Sequence, residues 1–89
     1  MSQFLGMDVN AVRQLAQRMN QDASEIRKLV QQLTSMLHST QWTGPDQQRF
    51  LHEWEGTHVK NLNHVAQELE EAARAANKNA QEQESASNS

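Results

Sequence analysis

The sequence predicts an all-α protein, an antiparallel helix-turn-helix hairpin that dimerises into a four-helix bundle. Two long segments carry apolar residues at helical spacing, and a single glycine-proline step divides them near the middle of the chain. Residues that favour helices are common, whereas β-branched and aromatic residues are few. A chain of 89 residues forms at most one domain. Because two helices enclose no core of their own, we expect the hairpin to bury its apolar face against a partner.

The first helix is predicted over residues 8–39, after an N-terminal arm at residues 1–7, because Asp8 has the position and chemistry of an N-cap. The apolar residues of this helix recur every seven positions in three rows, equivalent to heptad positions a, d and e. A face of that width contacts more than one neighbouring helix, which is typical of a bundle. The rows are Val12, Met19, Ile26, Leu33; Leu15, Asp22, Leu29, Met36; and Ala16, Ala23, Val30, Leu37.

Asp22 is the polar exception in the second row. Either it lies at the edge of the face, where its carboxylate reaches solvent, or it is a polar residue that sets the register of the helices. In a hairpin that turns near Trp42, the positions of facing residues sum to about 85. This estimate predicts that Asp22 lies near His64.

The turn is predicted at residues 40–44 and the second helix at residues 45–76, with Pro45 in the first helical turn, where its missing N–H has no cost. Gly56 within this helix either permits a close approach or a bend, or is simply tolerated. Glu70 and Arg74 have the spacing of a surface ion pair. The apolar stripe comprises Leu51, Trp54, His58, Leu62, Val65, Leu69, Ala72 and Ala76, widened by Phe50, Ala66 and Ala73.

Residues 77–89 are polar and lack the apolar repeat, so we expect a frayed helix end that passes into a flexible tail. The two stripes together predict the interface of the hairpin and of its dimer. The residues expected there are Val12, Leu15, Met19, Ile26, Leu29, Val30, Leu33, Met36, Leu37, Phe50, Leu51, Trp54, His58, Leu62, Val65 and Leu69.

Composition excludes several classes of function. The net charge is -3 and the eight Lys and Arg residues form no basic stripe, which argues against nucleic-acid binding. The absence of cysteine excludes disulfides and thiol chemistry. No stretch is long and apolar enough for membrane insertion. The first residues lack the features of a signal peptide, so Sec-dependent export is not expected, although another export route stays open.

Catalysis and cofactors are not expected either. The chain has one Glu-x-x-His pattern, Glu55 to His58, whereas di-iron bundles use two such motifs and two further glutamates. Glu25 is a poor candidate for the set, because in the estimated hairpin it faces residue 60 rather than residue 55. The chain has neither a glycine-rich phosphate loop nor a strand-turn-helix motif that presents a nucleophile. We therefore expect a protein that is not an enzyme and holds no metal or other cofactor.

The turn carries a family resemblance. Trp42-Thr43-Gly44 is a W-x-G motif at mid-chain between two helices of about thirty residues each. In this context the whole chain resembles the WXG family, the small ESAT-like proteins exported by type VII secretion systems. The segments at residues 6–8 and 11–16 are also similar to the start of actinobacterial members. The W-x-G motif alone is weak; its position, helical context and chain length make the resemblance fairly specific.

The resemblance implies homodimers or heterodimers with another WXG-type protein, built as four-helix bundles. It implies export without a cleaved signal peptide, driven by an FtsK/SpoIIIE-type membrane ATPase of the type VII system. Members act as secreted effectors or as obligate partners of other exported proteins. In the family, the W-x-G turn of one subunit and the C-terminal tail of its partner form a composite export signal. The corresponding turn residues here are Trp42 and Gly44.

One departure from the family concerns the tail. Many members carry Tyr-x-x-x-Asp/Glu just after the second helix, and this chain has no tyrosine. Either the chain travels with a partner that supplies the tail signal, or its own signal is degenerate, or it is not exported and stays in the cytoplasm. The alternative function is an intracellular helical adaptor or chaperone for a larger client protein. Such an adaptor has no need of a tryptophan exposed in the turn.

Overall fold

The structure, a computed structural model, describes residues 7–88 and contains only helices and their connections in that range. Helix α1 spans Val9–Ser39, α2 spans Pro45–Glu53 and α3 spans Val59–Asn88; a π-helical segment, Trp54–His58, joins α2 to α3 without a break. The long helix α3 packs antiparallel to α1. The predicted all-α hairpin is therefore confirmed. The N-terminal arm predicted at residues 1–7 lies, except for Met7, outside the described residues.

Helix ends are capped where the sequence places capping residues. The Asp8 carboxylate accepts a hydrogen bond from the Ala11 amide at 3.0 Å, which satisfies one of the free N–H groups of the first turn of α1. At the other end of α1, the backbone amide and the hydroxyl of Thr40 both donate to the Met36 carbonyl. Gly44 is the N-cap residue of α2, and Pro45 is the first residue of the helix.

A seam of small residues holds the two long helices together. Ala16, Ala23 and Val30 on α1 recur every seven residues, and all three are buried. Small side chains let the helix backbones approach closely, at the cost of burying little apolar area per residue. None of the large side chains among residues 7–88 is fully buried. We call this set the alanine seam; it comprises Ala16, Ala23 and Val30 of α1 with Ala66, Ala73 and Ala80 of α3.

The register differs from the sequence estimate. Arg13 contacts Glu84 and Arg27 contacts Glu70, and both pairs of positions sum to 97 rather than to about 85. The estimate assumed that the residues of the two helices face each other in sequence from a tight turn near Trp42. Instead, the second helical segment of residues 45–88 is longer than α1, by about 20 Å at 1.5 Å per residue. Part of it therefore extends past α1, in a molecule 65 Å long.

Two predicted ion pairs are consequently wrong. Asp22 accepts a hydrogen bond from Arg18 at 2.9 Å on its own helix, and His64 contacts Glu68 at 3.0 Å on α3. The predicted contact between Asp22 and His64 is absent because the shifted register separates them. Glu70 is bound by Arg27 of α1 at 2.6 Å, instead of forming the expected surface pair with its neighbour one turn along α3.

The second helix also does not end at Ala76. Helix α3 continues to Asn88, so the flexible tail predicted from residue 77 is wrong within the described residues. The physical reason is that the seven-residue repeat continues to Ala80, which is completely buried against α1. One turn further, the Glu84 carboxylate is held by Arg13. The polar segment after Ala76 is helical because one small residue, Ala80, is enough to continue the alanine seam.

We predict that enlarging a seam residue will destabilise the hairpin. Ala73→Leu should lower the free energy of unfolding by about 1–3 kcal/mol, because the extra atoms have no room between the backbones. Ala75→Leu is the matched control: Ala75 is exposed on the same helix, and its change should stay within about 0.5 kcal/mol. Urea unfolding followed by circular dichroism measures both. Equal effects of the two substitutions would contradict the seam.

Candidate functional site

The hairpin has one polar flank and one apolar flank. Each residue of an α-helix is rotated by about 100° around the helix axis relative to the one before it. The residue that precedes a seam residue therefore lies about 100° to one side of the seam. The fourth residue after a seam residue lies about 40° to the other side. Arg27 and Glu70, each four after a seam residue, contact each other across the helices, so these two sides form one flank. Leu29 of α1 and Val65 of α3, each one before a seam residue, therefore share the opposite flank.

This opposite flank is the candidate interaction face, and it is uncovered. Leu15, Leu29 and Met36 are 51%, 52% and 64% exposed, and Val65 is 46% exposed. Two shallow grooves lie on α1 beside Leu29; one is lined also by Glu25, Ile26, Lys28 and Gln32, and the other by Gln32, Leu33 and Met36. Large apolar side chains that recur on one side of a protein mark an interaction surface. We call it the apolar face; it comprises Val12, Leu15, Met19, Ile26, Leu29, Leu33 and Met36 of α1 with Leu62, Val65 and Leu69 of α3.

The predicted interface residues thus divide into three groups. Two of them, Val30 and Trp54, are buried within the hairpin itself. The structure leaves Leu15, Leu29, Met36, His58 and Val65 exposed. The remaining nine lie between these extremes, at the margin of the seam; they are Val12, Met19, Ile26, Leu33, Leu37, Phe50, Leu51, Leu62 and Leu69.

The turn presents Trp42 to solvent. Trp42 is 45% exposed, and its backbone amide donates to the Thr40 carbonyl at 2.9 Å. Two residues later Gly44 has φ 125°, in the region that residues with a Cβ atom rarely adopt. The glycine of the W-x-G motif is therefore required by backbone geometry. It redirects the chain into α2, whose first turn closes with the Gln48 amide donating to the Gly44 carbonyl.

Aromatic rings connect the turn to the body of the hairpin. The rings of Trp42 and Phe50 lie 6.5 Å apart, those of Phe50 and Trp54 lie 6.2 Å apart, and those of Trp54 and His58 lie 6.3 Å apart. At these separations neighbouring rings attract one another beyond their burial. Trp54 anchors the row, since it is buried and its indole N–H donates to the Thr34 hydroxyl of α1 at 2.8 Å.

The π-helical segment explains how Trp54 reaches this position. Trp54 lies twelve residues before Ala66, so an unbroken α-helix would direct it about a third of a turn away from the seam. A π-turn adds one residue to a turn and rotates the preceding side chains back toward the seam. Gly56 lies within this turn, exposed, and no atom lies within 4 Å of where a Cβ would be. Of the possibilities considered for it, a close approach is therefore not the reason for the glycine.

The strongest electrostatic contact is at the other end of the molecule. The Arg13 guanidinium donates to both Glu84 carboxylate oxygens, at 2.8 and 2.6 Å. This hydrogen bond is the main cause that lowers the pKa of Glu84 and raises the pKa of Arg13. Burial opposes both shifts, and the attraction between the charges adds a smaller contribution to each. Because the folded chain binds the Glu84 proton more weakly than the unfolded chain, the pair stabilises the fold at neutral pH. That contribution is lost as the pH falls through the lowered pKa.

The acidic residues and histidines of the described chain are dispersed. Within residues 7–88, no three His, Asp or Glu side chains are grouped closely enough to hold a metal ion. Glu55, of the single Glu-x-x-His pattern, lies instead 3.6 Å from His38 at the end of α1. The same part of the chain contains no helix with the length and apolar character needed to cross a membrane.

Sequence reasoning missed two features of this site. Ala80 was assigned to the tail, although its seven-residue spacing from Ala73 was a usable signal. The hydrogen bond from Trp54 to Thr34 had no local signal, because the residues are twenty positions apart.

No protein-family model, curated protein or solved structure matches this chain. The resemblance to the WXG family accordingly rests on the residues quoted above alone.

We predict that the two tryptophans differ sharply in solvent access. In Trp54→Phe, the remaining Trp42 should emit at longer wavelength and be quenched readily by acrylamide, because nearly half of its surface is exposed. In Trp42→Phe, the remaining Trp54 should be protected, because only 6% of its surface is accessible. Similar quenching constants for the two single-tryptophan variants would contradict the buried position of Trp54.

Proposed function

We propose that this chain is a non-catalytic WXG-type protein, a substrate or dimerisation partner of a type VII secretion system. The observation that carries the proposal is the uncovered apolar face, together with a tryptophan exposed in a glycine-dependent turn. A helical hairpin that buries mainly alanine inside and leaves leucine and methionine outside is suited to association. The mechanism is recognition through these two surfaces.

The apolar face supplies the affinity in this mechanism. Covering a leucine or methionine side chain contributes about 1.5–3 kcal/mol when burial is complete, and Leu15, Leu29 and Met36 are each about half exposed or more. A second hairpin laid on this face completes a four-helix bundle and covers the same residues on both partners. The partner is either a second copy of this chain or a different WXG-type protein.

The turn supplies the specificity. Trp42 lies at the end of a row of rings that Trp54 fixes to α1, so the exposed indole has a defined place rather than a free loop position. In the proposed mechanism Trp42 and Gly44 form one half of a composite export signal. The C-terminal tail of the partner forms the other half. The composite surface is then recognised by the secretion ATPase.

The missing tyrosine supports one of the two subunit roles for this chain. Its own C-terminal segment is helical, packs on α1 and has no aromatic residue. We therefore propose that the tail signal comes from the partner and that the two proteins are exported together. The chain would be made in the cytoplasm and secreted without removal of a signal peptide. A homodimer would lack the tail signal on both sides, so this inference favours a heterodimer for export.

We predict that a charge on the apolar face will weaken association. Leu29→Lys should raise the dimer dissociation constant about tenfold. Leu29 is 52% exposed, so the substitution loses about half of the burial energy of a leucine, roughly 1–1.5 kcal/mol, and also places a charge in the interface. Gln31→Lys adds the same charge at an exposed position two residues away and should leave association unchanged. Light scattering at several concentrations measures both variants. If the chain alone aggregates, the same pair of variants is tested by co-purification with a WXG-type partner carrying a tyrosine-bearing tail.

A well-folded wild-type monomer at all concentrations that binds no WXG-type partner would contradict the proposed dimer.

We predict that Trp42→Ala will separate export from assembly. Trp42 lies outside the seam and the apolar face, so the variant should fold and dimerise normally while export is lost. Gln41→Ala, an exposed neighbour in the same turn, is the control that should be exported. Secretion is measured as the ratio of the protein in medium and cells. Normal export of the Trp42 variant would count against a role of Trp42 in an export signal. If the wild-type chain stays in the cells, bound to a larger client protein, the result would favour the alternative function as an intracellular adaptor.

A further inference from the structure

The last three turns of α3 differ from the rest of the hairpin. We call residues 77–88 the C-terminal arm. Only Ala80 of the described arm residues is buried, and no seam residue follows it, since Ser87 is exposed. The arm also contains several asparagine and serine residues, which favour a helix less than the residues earlier in α3. Among the described residues, the arm meets α1 through one fully buried residue, Ala80, and through the ion pair between Glu84 and Arg13.

We propose that the C-terminal arm is a latch that opens independently of the hairpin, with the bond between Arg13 and Glu84 holding it closed. The contact is well formed, because the guanidinium meets both carboxylate oxygens and also lies 3.5 Å from the Gln81 side-chain oxygen. It is nevertheless accessible to water, with side chains 37% and 42% exposed. A contact of this kind is strong enough to bias a local equilibrium and weak enough to be reversed.

A polar atom in the arm also disfavours the closed position. The side-chain oxygen of Gln83 is buried without a hydrogen-bond partner, while its amide nitrogen donates to Ser87. A buried oxygen that has lost its water is an unfavourable contribution, which opening of the arm would remove. Glu84 one residue later therefore offsets this contribution in the closed state. Closing is a balance between these neighbouring groups.

A second ion pair of the same type provides an internal comparison. Arg27 and Glu70 lie on the same flank and in the same register, at 2.6 Å. That pair is in the middle of the hairpin, with seam residues Ala23 and Val30 before and after Arg27 on α1. Breaking it cannot free a chain end, because the seam continues on both sides. Breaking the pair of Arg13 loosens an end of α3 that has no further seam residue after Ala80 among the described residues.

Opening would change the surface that a partner meets. Ala16, at the N-terminal end of the seam, is completely buried while the arm is closed. Removing Ala80 from the seam uncovers this end of α1, beside Val12 of the apolar face. The state of the latch thus sets how far the accessible apolar surface extends toward the chain termini. This inference depends on the contacts of the arm and stands whether or not the chain is a secretion substrate.

Hydrogen exchange of the full-length wild-type chain and its variants, followed by mass spectrometry, tests the latch. In the wild type, amides of the arm should be protected but exchange faster than those around Ala73. Arg13→Gln should raise exchange in the arm about two- to fivefold, with little change elsewhere. Arg27→Gln should leave exchange in the arm unchanged. In the combined variant Arg13→Glu with Glu84→Arg, the reversed pair should restore much of the wild-type protection.

Two outcomes would overturn the proposal. Arm amides that exchange in the wild type as fast as an unstructured peptide would mean that the arm is not docked. Arm exchange that equals exchange around Ala73, and rises equally for Arg13→Gln and Arg27→Gln, would mean that the arm opens only with the whole hairpin. Because the readout is local exchange, it does not depend on the proposed export, whose failure would be seen separately in the secretion assay.

Discussion

The close contact between small residues along the alanine seam is the constraint on which the rest of the structure depends. Two helices that meet through alanine approach closely but bury little apolar area, so the seam cannot also cover the leucine and methionine rows beside it. A hairpin with large residues in its own seam would have had less apolar surface left over. The uncovered apolar face is therefore a direct consequence of the residues chosen for the interior.

Much of this fold could be predicted from sequence. The two helices, the cap at Asp8 and the glycine-proline turn follow from local chemistry, and the seven-residue rows follow from periodicity. What periodicity could not decide was which row faces the neighbouring helix of the same chain. A wide face offers several ways to pack, and the row containing Ala16 turned inward while the row containing Leu15 remained outside. That choice depends on contacts with α3, which is distant along the chain.

The errors had a common origin in the second helix. Composition suggested disorder after Ala76, but it averages over residues, whereas packing required only Ala80 at the correct spacing. The register estimate treated the second helical segment as a regular α-helix that pairs with α1 directly from a tight turn. Neither the π-turn nor the indole hydrogen bond of Trp54 that accompanies it has a local sequence signal. Such features arise when tertiary contacts outweigh ideal helix geometry.

The two tryptophans show how one region combines stability with recognition. Trp54 takes the buried role, with its ring against α1 and its polar edge bonded to Thr34. Because that role is filled, Trp42 is not needed for the interior and can remain half exposed, with its ring tilted against that of Phe50. An exposed indole has a cost in water, and a hairpin already anchored by another tryptophan gains little stability from it. Its exposed position in the turn leaves the indole available for the contact with another protein that we propose.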